Sequence, residues 1–182
     1  VDPDPDAAPA PGRKRLALMA AVGVVLLQVA GQRLDATSLL IAPVALGLMV
    51  YAVPRLLPKG TLRAGRGLPT VVLIRGIFAG SFFAAEWFVP LMLVSERGLS
   101  SVFAGGALSG AAVGWFVGSW IQGRPTLTIT RDRLVVMGAA FTTTGLAVSS
   151  IVALEAVPWQ LIAFTWAIGS FGMGILYGSL GV

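Results

Sequence analysis

Six apolar runs dominate this chain of 182 residues, most of them near the ~20 residues that a helix needs to cross a ~30 Å hydrocarbon layer. They cover about Leu16–Gly31, Ala36–Leu57 (with Pro43), Leu68–Val94, Val102–Gln122, Leu134–Leu154 and Trp159–Val182. None alternates with the period of two that a barrel strand shows, so helices are expected rather than an outer-membrane barrel. Composition agrees. Hydrophobic residues make up 56% and charged residues 12%, and mean hydropathy is +0.86. Soluble domains carry roughly twice that charge, and one soluble core could not hide so much apolar surface in so short a chain. The expected fold is an all-α membrane protein with six transmembrane helices.

Residues 1–15 stand apart. VDPDPDAAPAPG is acidic and Pro-rich, too poor in apolar surface to offset its ordering entropy, and is expected to be a disordered linker. It lacks the succession of a signal peptide. Arg13, Lys14 and Arg15 close it as a basic boundary; residues 16–67 then hold two helices and residues 68–182 the other four. Residues 13–15, 54–67 and 123–133 carry ten basic residues, whereas the opposite connections carry only Arg33 and Arg97 beside Asp35, Glu96 and Glu155. Residues 1–15 and the basic loops 54–67 and 123–133 are therefore expected on the cytoplasmic side of a multi-pass protein in the cell (plasma or inner) membrane. The lipid bilayer is the first expected partner. Nucleic acid is not one, because its recognition needs basic residues on a soluble face with aromatics interleaved.

With no Cys and no His, thiolate or imidazole metal sites, disulfides and His-dependent catalysis are excluded. No phosphate-binding GxxxxGK[ST], no TVGYG-like filter and no nucleophile–base pair is present, so no catalytic residue, metal or cofactor is expected. Chemistry concentrates instead in the third run, LPTVVLIRGIFAGSFFAAEWFVPLMLV, where Arg75 and Glu86 lie eleven residues apart. Three turns put them on nearly one face but ~16 Å apart along the axis, too far for an ion pair. Arg75 is close enough to the basic end to snorkel, or could serve as a charge partner. Glu86 is deeper, four residues before Pro90, which cannot donate to its carbonyl and is expected to bend the helix. An intramembrane carboxyl beside a helix break is a candidate for proton or cation coupling; it could equally be a structural group held by another helix.

The fourth run holds Gly106, Gly110, Gly114 and Gly118 at i, i+4, i+8 and i+12, a flat stripe for close helix packing or for sliding. Gly169, Gly172, Gly174 and Gly178 form a looser version in the sixth. Phe82, Phe83, Trp87 and Trp115 are far enough inside their runs to line an apolar pocket, although lipid-facing aromatics are common. Trp120 and Trp159 read as interfacial anchors.

Between Gly60 and Arg124 the chain resembles the major facilitator superfamily: GTLRAGRGLP, an Arg six residues on, FFAAEWFVPLML, SERGLS, then AGGALSGAAVGWFVGSWIQGR before a basic loop. It looks closest to actinobacterial drug-efflux permeases, and GSFGMGILYGSL resembles the glycine-rich helix two spans later. The resemblance implies a major-facilitator-type helical bundle, with Gly118, Gln122 and Arg124 in the place of a cytoplasmic gate loop. Gln122 stands where that motif has Asp. The two helices before Leu68 resemble the central extra pair of the 14-helix drug:proton antiporters. On that reading the chain is a fragment, helices 7 to 12 of 14, whose partners are the remaining helices of the same transporter, a small-molecule substrate and protons. The implied function is proton-coupled efflux of hydrophobic or cationic compounds. A sugar or metabolite uniporter or symporter, or a non-transporting scaffold subunit, is the alternative.

Overall fold

The structure is a computed structural model that describes residues 11–33, 35–152 and 157–181. These residues form six helices: α1 (Pro11–Arg33), α2 (Ser38–Leu56), α3 (Leu68–Ser95), α4 (Ser101–Gln122), α5 (Arg131–Val152) and α6 (Leu161–Ser179). A 3-10 turn, Thr61–Arg63, lies between α2 and α3, and no strand occurs among the described residues. All six helices are long and apolar enough to cross a membrane. α3, with 28 residues, reaches about 42 Å at 1.5 Å per residue, beyond a hydrocarbon core.

Some boundaries differ from expectation. Helix α1 starts at Pro11, so Pro11 and Gly12, expected in the disordered linker, and the basic boundary residues 13–15 are helical. Proline suits a first helical turn, where its missing N–H would have had no partner, and Arg and Lys are good helix formers. Residues 1–10 of that linker, together with Glu155 and Val182, lie outside the described residues. The sixth run does not continue as helix to its end: α6 stops at Ser179, and the Leu180 N–H closes on the Leu176 carbonyl at 3.0 Å.

The chain divides into two compact units, residues 1–73 and 74–182, with the division inside α3. In the first, α1 and α2 form a hairpin with a seam of small residues. A Cβ added to Gly23 would meet Met49 Cγ at 3.0 Å and the Ala45 carbonyl oxygen at 3.2 Å. Ala30, Ala45 and Ala52 are buried, the last two seven residues apart, as helices in close contact require. The connection is shaped by Asp35, whose Oδ1 accepts the Thr37 hydroxyl and the N–H groups of Thr37 and Ser38. Those bonds, the Thr37 hydroxyl first, hold its carboxyl below the ordinary aspartate value. A negative group there also complements the N-terminus of α2.

In the second unit α6 is the central helix. Ile162, Trp166, Met173, Leu176 and several glycines and serines are buried around its circumference, whereas α3 and α4 turn much of their surface outward. The close backbone approaches are α4 to α6 and α5 to α6. Gly110, Gly114 and Gly118 of α4 face Ala163, Ala167 and Phe171 in a parallel register. Gly138 and Gly145 of α5 face Gly172 and Gly169 in an antiparallel one. Hydroxyls join the seams: Thr142 donates to the Gly169 carbonyl (3.2 Å), Ser119 to the Gly174 carbonyl (3.4 Å), and Ser149 pairs with Thr165 (2.8 Å). Such bonds matter where there is no water to replace them. Outward faces are apolar, with Leu39, Leu40, Trp87 and Val102 at least three-quarters exposed, as lipid contact allows and water does not favour.

Candidate functional site

The chemistry of the second unit centres on one face of α3. Arg75, Phe82 and Val89 repeat every seven residues, two turns apart, and Phe82 and Val89 are buried. Phe82 stacks on Trp166 of α6, with centroids 5.1 Å apart and planes at 21°, and meets Trp115 of α4 edge-on at 5.9 Å. Phe83 lies 5.8 Å from Phe82 and 6.3 Å from Trp115. Trp115 continues the cluster to Tyr177 at 5.6 Å. Long aromatic side chains thus hold α3 to α4 and α6 where backbones do not closely approach. Each such ring pair adds about 0.5–1.5 kcal/mol beyond its buried area.

Arg75 closes the cluster. Its Nη2 donates to the Tyr177 carbonyl at 3.3 Å, and the Tyr177 hydroxyl donates back to the Arg75 carbonyl at 3.0 Å. The guanidinium carbon lies 5.3 Å from the Tyr177 ring centroid, within cation–π range. Tyr177 belongs to the last turn of α6, whose carbonyls lack helical partners and carry the negative end of the helix dipole. Arg131 joins it there, donating to the Gly181 carbonyl at 3.1 Å. Two guanidiniums therefore converge on one helix terminus. Arg75 is not fully satisfied: its Nε is buried without a partner among the described residues.

Glu86 is half-buried on α3 and makes no hydrogen bond or ion pair with any described residue, so the structure does not bring it to Arg75. α3 continues as helix through Pro90 to Ser95. Of the four aromatics expected around a pocket, Phe82, Phe83 and Trp115 come together, but ring against ring; Trp87 is 80% exposed and apart from them. The cavities lie elsewhere. One of about 340 Å³ is bounded by Phe88, Val89 and Met92 of α3, Ser149 of α5, and Ile162 and Trp166 of α6. Another of about 320 Å³ lies between Phe78 and Ser81 of α3 and Thr143 and Ala147 of α5.

The three residues of the expected gate loop lie at the end of α4 and just beyond it. Gly118 is buried within α4 against the Phe171 carbonyl, and Gln122 is the last residue of α4 with its amide against Gly178. Only Arg124 lies beyond the helix, exposed and stacked 3.6 Å over the Trp120 ring. Gly106, at one end of the glycine stripe, has no described neighbour within 4 Å of an added Cβ. In the four-residue register it would fall opposite Trp159, before α6 begins.

Trp166 and Tyr177 were not singled out from sequence as site residues. They lie eleven residues apart, three turns and one face of α6, and that spacing was the available signal. Among the described residues, no group of three or more Asp, Glu, His or Cys is placed to hold a metal ion. No protein-family model, curated protein or solved structure matches the chain.

Proposed function

We propose that this chain is part of a secondary active transporter of the major facilitator type, exporting hydrophobic or cationic small molecules in exchange for protons. The observation that carries this reading is Glu86, a half-buried carboxyl well inside a 28-residue apolar helix, with no partner among the described residues. A charge at mid-bilayer costs several kcal/mol, so such a carboxyl takes up or gives away a proton according to which aqueous side it reaches. Alternating access then couples that proton to substrate. A lipophilic cation competes for the deprotonated carboxylate, and the faces of exposed Trp87 and half-exposed Phe83 beside it in sequence attract the same kind of compound. The backbone seams of α4, α6 and α5 favour their moving as one body, with α3, attached through side chains, as the more adjustable element.

The test uses the intact transporter in liposomes that enclose a pH-sensitive dye, with an imposed proton gradient and a panel of lipophilic cations. Substrate-dependent proton movement that vanishes in Glu86→Gln is the expected result. Movement that persists in the variant reduces Glu86 to a structural group. Substrate flux without proton movement points to a metabolite uniporter, and no flux at all to a scaffold subunit.

A further inference from the structure

The connection between α2 and α3 is a closed, ordered turn rather than a slack tether. The Thr61 hydroxyl donates to the Pro58 carbonyl at 2.7 Å, and the Gly65 N–H to the Gly60 carbonyl at 3.0 Å. The Thr70 hydroxyl reaches back to the carbonyls of Ala64 and Gly65 at 3.0 and 2.6 Å. Gly60 and Gly67 take positive φ of 89° and 86°, and Ala64 sits in the left-handed region at 50°. The inside of this turn is Thr61, 3% exposed; its outside is Leu62, 67% exposed.

Around Leu62 stand Lys59, Arg63 and Arg66, all exposed, whose side chains make no hydrogen bond or ion pair with described residues. Arg55 differs: it bonds the Tyr51 carbonyl and lies 3.8 Å over the Tyr51 ring. No acidic residue occurs between Asp35 and Glu86 to neutralise these charges. The turn is also tethered at both ends to helices long and apolar enough to span a membrane, so it is held at the bilayer surface.

We propose that this turn is a docking surface for anionic phospholipid headgroups, with Lys59, Arg63 and Arg66 on lipid phosphates and Leu62 in the boundary between headgroups and acyl chains. Juxtamembrane cations and an exposed apolar residue act together in such contacts: the charges select the anionic lipid and the apolar side chain fixes the depth. The ordered turn lowers the entropy cost of presenting both at once. The site is separate from Glu86 and does not depend on the transport reading.

The chain has no cysteine, so Leu62→Cys gives a unique attachment point for an environment-sensitive fluorophore. The labelled chain is reconstituted in phosphatidylcholine vesicles with and without 30 mol% phosphatidylglycerol, at low salt. Protection from a neutral aqueous quencher, with a blue shift, is expected only with phosphatidylglycerol. It should weaken in high salt and decline by about fivefold in lipid preference for each of Lys59→Gln, Arg63→Gln and Arg66→Gln. The unlabelled chain, which keeps Leu62, should retain phosphatidylglycerol over phosphatidylcholine on purification from mixed lipid, and the triple Gln variant should not. Equal quenching in both vesicles, protection that survives the triple substitution, or protection produced by inorganic phosphate in phosphatidylcholine vesicles would each overturn the proposal.

Discussion

Adding one methyl group at successive positions of the α4 glycine stripe should have effects of opposite sign. At Gly114 an added Cβ would collide with the Ala167 carbonyl oxygen, and at Gly118 with the Phe171 carbonyl oxygen. Both obstacles are backbone, so neither can rotate away; the two helices must separate. A gap of roughly 0.5–1 Å forfeits a quarter to a half of the dispersion attraction of each facing atom pair. Overpacking of this kind costs about 1–3 kcal/mol. At Gly106 an added Cβ meets no described residue within 4 Å, so alanine there keeps only its helix-propensity advantage over glycine, about 0.5–1 kcal/mol at most. Gly178→Ala is an intermediate case, because its obstacle is the amide of Gln122, which can swing aside. The assay is reversible unfolding in mixed micelles, followed by tryptophan emission, since Trp166 is 1% exposed and stacked on Phe82. Gly114→Ala and Gly118→Ala should each lower the unfolding free energy, Gly178→Ala should change it little, and Gly106→Ala should leave it level or raise it. If all four shift alike, the backbone seam between α4 and α6 is not what the glycines serve.

Thr142→Val, which removes the bond to the Gly169 carbonyl at nearly constant volume, should cost about 0.6 kcal/mol and no more than roughly 1.7 in the same unfolding assay. Arg75→Leu loses the bond to the Tyr177 carbonyl, worth about 1.5–3 kcal/mol for a charged donor, and the cation–π contact with the Tyr177 ring, about 0.5–1 kcal/mol. It also removes a cation whose burial in a membrane costs about 2.5–3.5 kcal/mol. Stability should therefore change by no more than about 1.5 kcal/mol in either direction, and a loss above ~2 kcal/mol would show that Arg75 is structural. Asp35 gives a pH dependence of definite sign. Its folded value is depressed, so its contribution is complete above the ordinary aspartate value and is lost as pH falls through the lower folded value. Protection of the Thr37 and Ser38 amides, relative to their intrinsic exchange rates, should fall in that acid window, and Asp35→Asn should remove this pH dependence of protection.

Helices α3 and α4 were legible almost to the residue, because Gly67 and Pro69 punctuate one entry and Ser100 and Gly123 bracket the other. The start of α1 was not, since Arg13, Lys14 and Arg15 mark a boundary by charge while favouring helix by conformation. Charge says where a membrane ends, and a helix need not end with it. Within the site, the single-helix relations were readable: Arg75, Phe82 and Glu86 near one face, and the glycine spacing. What joins helices was not. Arg75 and Tyr177 are 102 residues apart, and no local pattern says which aromatic will receive a half-buried guanidinium. The four glycines of α4 look equivalent in sequence. Their difference comes from where α6 begins, a property of the partner helix.

The central position of α6 has a consequence for biosynthesis. α4 and α5 each make their close backbone contacts with α6, and α6 follows both in the sequence. Between the end of α4 at Gln122 and the end of α6 at Ser179, a ribosome adding 5–20 residues per second needs roughly 3–11 s. Until α6 is made, Gly114 and Gly118 lack the helix they pack against, and Thr142, once added, has no carbonyl to meet. The inserted helices must wait as separate rods, open to mispairing through these small-residue faces. Arrival of α6 then closes two seams in one event.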